Sequence, residues 1–216
     1  MSDPIFLNKV RISFPTLKAP AASYQNGPLK YRADFIMEPD SANWKAVQQE
    51  VFNLARAKWG DQAQQAIQML ERNKRSFGDG NERRKSGTMQ VFDGYEGMKY
   101  VTATTDQKPQ LYHPETGAIA SNDMQYMQLA SAIYGGCFVN AAIQFYIPKD
   151  PSKMGIFCGL IGVQFAEDGE SFGGGAPDVS GMPWAKGAKP AGMPAPNVAS
   201  SEPAMPEAMP FPDFMK

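Results

Sequence analysis

One histidine and two cysteines in 216 residues leave little material for the commonest enzyme chemistries. His113 stands before a proline in LYHPETG, a turn signature, where a lone imidazole is expected to be exposed or structural rather than a general base. Cys137 and Cys158 lie in alternating apolar runs and read as buried, reduced thiols. Their spacing with His113 gives no paired zinc ligands, so no metal and no cofactor is expected. Long apolar runs are also missing. Nothing resembles a signal peptide or approaches the roughly 18 apolar residues of a membrane span, so the expectation is a soluble, unexported, cytoplasmic protein with no membrane partner.

Phosphate chemistry is no better provided for. Asp79, Glu82, Asp93 and Glu96 are the carboxylates that would hold magnesium in a nuclease, but they equally suit solvated turns. GDGNER lacks the Gly-Lys-Ser/Thr ending of a phosphate-binding loop. No catalytic set emerges.

What the chain does have is alternation and local positive charge. Val10, Ile12 and Phe14 alternate with Lys9, Arg11 and Ser13, and Tyr31, Ala33, Phe35 and Met37 with Lys30, Arg32 and Asp34, the period of half-buried strands. Asp40 or Ser41 can cap a helix carrying Trp44, Val47, Val51, Leu54 and Ala55, ended by Gly60. A second helical stretch follows in AQQAIQMLER. The glycines from Gly78 to Gly97 then predict a long loop or loose hairpin.

GMKYVTATT reads as a third strand, NDMQYMQLASAIY as a short helix after Asn122, and GCFVNAAIQFYIP and GIFCGLIGVQF as two strands joined at KDPSK. The fold class is mainly β with helical insertions: five strands in a small antiparallel barrel over residues 1–172. From 173 to 216 the composition turns to Gly, Pro, Ala and Met, which predicts a disordered tail. Its end, PFPDFMK, places Phe211, Asp213 and Phe214 on a flexible tether, the makings of a protein-docking motif.

Net charge is only −1, yet Lys+Arg exceed Asp+Glu by 15 to 11 up to Lys99 and fall short by 6 to 11 beyond it. The excess gathers in NKRSFGDGNERRKSG. Arg72, Lys74, Arg75, Arg83, Arg84 and Lys85 are interleaved with or followed closely by Phe77, Phe92, Tyr95 and Tyr100. Cations that track phosphates and flat side chains that stack on unpaired bases are what single-stranded nucleic acid requires. A solvated loop or a nuclear-localisation tract fits the same residues. Lys9, Arg11, Lys30 and Arg32 add an expected basic stripe on the outer face of two adjacent strands. Phe138 and Tyr146 can either stack on bases or pack against a helix.

In order along the chain, KVRISFPTL, KYRADFIMEP, RSFGDGNE, YEGMKYVTATT, YGGCFVNAAIQFYIP and GLIGVQFAEDGESFGGG resemble a family of phage and prophage single-stranded DNA-binding proteins, over about residues 4–175. The last of these carries the most specific pattern, GLxxVQ-x-DGE-x-GGG. Asp79, Gly80, Asn81 and Glu82 match a DGD-x-E-like loop, with Asn81 in place of an acid. The resemblance implies an oligonucleotide/oligosaccharide-binding (OB) barrel with helices between its second and third strands. It also implies a role in coating single strands during phage replication and recombination.

The expectation is therefore a non-enzymatic, sequence-independent binder of single-stranded DNA. Its contacts would be the basic segment, acting as a flexible arm over the DNA groove, the Lys9/Arg11/Lys30/Arg32 stripe, and stacking on Phe77, Tyr95 or Tyr100. Its tail would recruit replication and recombination proteins, and a homo-oligomer is left open. Engagement of about five phosphates would give a log-affinity against log-salt slope of about −3.5. A metal-dependent nuclease and a virion or scaffold protein with an interaction tail are the alternatives.

Overall fold

A computed structural model of the protein describes residues 2–22, 25–114, 117–119 and 124–172. The tail from residue 173, with Phe211, Asp213 and Phe214, lies outside the described residues, as does the expected helix cap Asn122.

The strands are β1 (Ile5–Ala22), β2 (Leu29–Met37), β3 (Phe77–Asp79), β4 (Lys99–Thr105), β5 (Gln110–His113), β6 (Gly117–Ile119), β7 (Phe138–Tyr146) and β8 (Phe157–Glu167). β1 pairs with β2, β2 with β4, β4 with β8, β8 with β7, and β7 back with β1. This ring is a closed five-stranded barrel of OB type, with β4 and β8 meeting in parallel at Thr104 and Gly159. The interior is filled by the inward halves of the alternating strands. Val139, Ala141, Ile143 and Phe145 of β7 are all buried, and so are Ala33 and Phe35 of β2.

β1 departs from simple alternation. Lys9 and Phe14 both have φ of 48°, and the pairing shifts register between Leu7 and Val10 and between Ser13 and Thr16. Such bulges bend a strand. Here one 18-residue strand serves both β7 and β2. The second bulge also leaves Phe14 41% exposed where strict alternation predicts an inward ring, while Ser13, opposite Asp34, is buried on the outer face.

Helices α1 (Ala42–Trp59), α2 (Ala63–Met69) and α3 (Met124–Ala132) cover the barrel. Ser41 caps α1 by accepting from the Trp44 N–H, Gly60 ends it at φ 57°, and Trp44, Val47, Val51 and Ala55 are its buried face, as the spacing predicts. In α3, Tyr126 is fully buried, with its hydroxyl 2.9 Å from the Pro109 carbonyl and 3.2 Å from that of Leu17.

One region differs from the sequence expectation. β5 and β6 pair antiparallel, with His113 opposite Gly117, and β5 runs parallel to β8. Strands of four and three residues are too short to show a period. Both cysteines are buried and unpaired. Burial raises the ordinary pKa of both thiols.

Candidate nucleic-acid interface

The basic segment is held against the barrel at successive points. Phe77, Gly78 and Asp79 pair with Val101, Tyr100 and Lys99, and Arg84 bridges to Val91. The Phe92 N–H donates to the Arg83 carbonyl at 2.9 Å. Most of its cations already have partners. Arg75 donates twice to Glu82, Lys85 pairs with Asp93, and Arg84 donates to the carbonyls of Asn81 and Met89. A flexible arm is therefore replaced by a stitched hairpin, because its carboxylates and carbonyls neutralise it from within. Arg72 and Lys74 form no ion pair among the described residues.

Arg83 is tied to the barrel itself. Asp34, on β2, is fully buried and accepts from Arg32 Nε and Nη2, from Arg83 Nη2, and from the Tyr95 hydroxyl at 2.8 Å. Two guanidiniums against one carboxylate leave a local charge of +1. The Arg83 guanidinium also lies 4.9 Å from the centroid of the Tyr100 ring. Burial, reinforced by the Asp34 charge, pushes the Tyr95 hydroxyl well above its ordinary pKa.

These contacts overturn the expectation that Phe77, Tyr95 or Tyr100 stack on bases. Phe77 packs edge-on against Phe145 in the barrel core, while Tyr95 and Tyr100 pack edge-on against each other beside Ile36. All three are buried. Tyr100 does point outward from β4, but the 80–97 segment covers it.

The expected basic stripe divides in two. Arg11 is opposite Ile36 whereas Arg32 is opposite Thr16, so the two pairs of cations sit at different ends of the β1–β2 ladder. Lys9 pairs with Glu167. Arg11 donates to the carbonyls of Gly136 and Glu170 and lies 4.2 Å from the Phe172 ring centroid. Both also lie over the Phe138 ring, which accounts for that aromatic. Lys9 and Arg11 thus anchor the segment that carries Asp168, Gly169 and Glu170.

Asp79, Glu82 and Asp93 of the nuclease alternative are engaged as well. Lys99 holds Asp79 at 2.7 Å and lowers its pKa, and Glu82 is paired with Arg75. Among the described residues no group of three or more His, Cys, Asp or Glu side chains could hold a metal ion.

Cations and accessible aromatics do meet elsewhere. Pro28, Lys30, Asn73, Lys74, Thr104, Tyr146, Pro148, Lys153 and Phe157 line an open groove of about 390 Å³. Tyr146 and Phe157 are cross-strand partners at the end of the β7–β8 hairpin, half-buried, with ring centroids 6.1 Å apart. Lys30 pairs loosely with Asp106 at 3.4 Å, Lys74 Nζ donates among the described residues only to the Ser152 carbonyl, and Lys153, 75% exposed, pairs loosely with Asp150 at 3.8 Å. The groove lies at the outer face of β2 and β4 and the β7–β8 turn, where OB barrels take oligonucleotides. Of these residues the sequence singles out Lys30 and Lys74 as expected DNA contacts and leaves Tyr146 between stacking and packing, whereas Lys153, Phe157, Thr104 and the buried Asp34 were not singled out. For Phe157 the signal was present, since it alternates with the buried Cys158 and Leu160.

Residues 3–187 match the sequence profile of a phage family described as the Enterobacter phage Enc34 ssDNA-binding protein. The chain belongs to this family. It is 30% identical over 173 residues to protein p50 of Acyrthosiphon pisum secondary endosymbiont phage 1, covering 79% of this chain and 87% of that one. In fold it is similar to the bacteriophage Enc34 single-stranded DNA-binding protein solved in complex with ssDNA. That match has a TM-score of 0.61 and 22% identity, covering 79% of this chain and 89% of the other. The structure of the same Enc34 protein described without ssDNA gives a TM-score of 0.59 and 23% identity, covering 82% and 88%. Family members thus share the barrel at low identity.

Proposed function

We propose that this protein binds single-stranded DNA, without sequence preference, along the outer face of β2 and β4. Lys30, Lys74 and Lys153 would neutralise successive phosphates, and Tyr146 and Phe157 would offer stacking faces. Every base has such a face, so affinity would depend little on sequence. The observation that carries this reading is the convergence of three weakly engaged lysines on one accessible aromatic pair, in a chain whose family is described as ssDNA-binding.

The role that follows is to coat and protect exposed strands during phage DNA replication and recombination in the host cytoplasm. The protein acts as a binder and not as an enzyme. Pairing of Asp79 and Glu82 with Lys99 and Arg75 supports this over the nuclease alternative. Phe211, Asp213 and Phe214 would recruit replication proteins. Deleting residues 176–216 would then leave DNA affinity unchanged or slightly higher while abolishing that recruitment.

Fluorescence titration with oligo-dT, a duplex and RNA tests the reading, with a parallel incubation in magnesium or manganese. Tight binding of oligo-dT without cleavage is expected. No binding of oligo-dT, or cleavage lost in Asp79→Ala, would overturn it.

A further inference from the structure

Phe14 is an aromatic residue that the barrel has turned away from its own core at a conformational cost. Its φ of 48° is unfavourable for any side chain but glycine, and it precedes Pro15, which favours extended backbone at the residue before it. The cause is the β1 bulge between Ser13 and Thr16. Bulges that re-aim one side chain cluster at functional sites. Were the purpose only to fill the core, the regular register would have buried the ring. Instead it is 41% exposed.

The ring does not stand alone. Phe92 meets it edge to face, with centroids 5.0 Å apart. Together with Thr16, Ala21, Ala22, Arg32 and Arg83 they line an open cleft of about 340 Å³. That is within the range of small-ligand sites. Asp34 neutralises only one of the two guanidiniums, so the cleft presents a flat aromatic surface beside one uncompensated positive charge. An apolar plane next to a cation matches a nucleotide, with its base and its phosphate. The cleft also continues the groove already described, because Lys30 lines one and Arg32, the next outward residue of β2, lines the other.

We propose that the Phe14/Phe92 cleft is a second base-accepting site, in which an unpaired base packs on Phe14 while the Arg32–Asp34–Arg83 cluster holds an adjoining phosphate. This rests on the single-stranded DNA reading above. It extends the DNA track across β2, from the Tyr146/Phe157 pair to the β1 bulge, and gives the exposed ring a task.

The test is photocrosslinking of the full-length protein to oligo-dT substituted with 5-iododeoxyuridine, with the crosslinked peptides identified by mass spectrometry. It is paired with affinity measurements on Phe14→Leu and Phe14→Tyr. Crosslinks are expected in the peptide containing Phe14 or Phe92 as well as in that containing Tyr146 or Phe157. Phe14→Leu should weaken binding about tenfold, and Phe14→Tyr, which keeps the stacking face, should restore it. Crosslinks confined to Tyr146 and Phe157, with unchanged affinity in Phe14→Leu, would overturn the second site and leave the first standing. Equal loss in the Leu and Tyr variants would identify Phe14 as a packing residue and also overturn it. If wild-type protein fails to bind oligo-dT at all, the DNA reading itself falls.

Discussion

Arg83 reaches across 49 residues of sequence to pair with Asp34, a carboxylate with no exposed surface. That contact fastens the basic hairpin to the barrel wall, and it converts the most conspicuous charge cluster in the sequence into a structural element. Removing the carboxylate strands two guanidiniums, while removing Arg83 still leaves Asp34 paired with Arg32. Asp34→Ala should therefore destabilise the protein by about 3–5 kcal/mol, and Arg83→Met by distinctly less. Urea denaturation of the two variants checks the order, and equal losses would contradict the account.

The aromatic residues should separate into two classes. Tyr146→Ala and Phe157→Ala should each weaken oligo-dT binding by about 1–3 kcal/mol with little change in stability. Phe77→Ala removes a buried ring packed on Phe145 and should cost about 3–5 kcal/mol of stability. The protein that remains folded should bind DNA normally. Denaturation and titration on the same three variants distinguish the classes.

Alkaline pH should unfold the protein through its buried tyrosines. Burial raises the Tyr126 hydroxyl to about 12 and pushes that of Tyr95 higher still, against an ordinary value near 10. A folded-state pKa above the unfolded one means stability that is complete below about 10 and is lost as pH rises through the folded value. Urea midpoints should hold steady from pH 7 to 9 and fall above pH 10. Tyr126→Phe should flatten that fall, and an unchanged profile in this variant would count against the burial argument.

Gly136 has φ of 112°, and a Cβ there would collide with the Glu170 carbonyl. Gly136→Ala should displace the 168–172 segment from Arg11 and destabilise the fold by roughly 1–3 kcal/mol. Hydrogen exchange should rise at Phe172, whose N–H donates to the Gly135 carbonyl. Protection unchanged at Phe172 would contradict this role.

Much of the barrel was legible because its strands are half-buried and alternate: β7 gave up its inward and outward faces residue by residue. β1 did not, since a bulge changes the face of every residue after it, and nothing local marks Phe14 as outward. The site was harder still. Local charge density pointed to the hairpin, but whether a cation is available depends on partners far away in sequence, such as Asp34 for Arg83. Phe157 and Lys153 join Lys30 and Lys74 only through the closure of the ring, a relation between distant segments that composition does not record.

The central claim is that DNA follows the Lys30/Lys74/Lys153 groove and not the outer hairpin cations Arg84 and Lys85. Its most direct test is the salt dependence of oligo-dT affinity, followed by fluorescence, in wild type, in a Lys30→Ala/Lys74→Ala/Lys153→Ala variant, and in an Arg84→Ala/Lys85→Ala variant. Each phosphate left without its lysine should flatten the log-affinity against log-salt slope by about 0.7, so the slope of the groove variant should be shallower by about 2 and that of the hairpin variant little changed. An unchanged slope in the groove variant, with the flattening in the hairpin variant instead, would contradict the account.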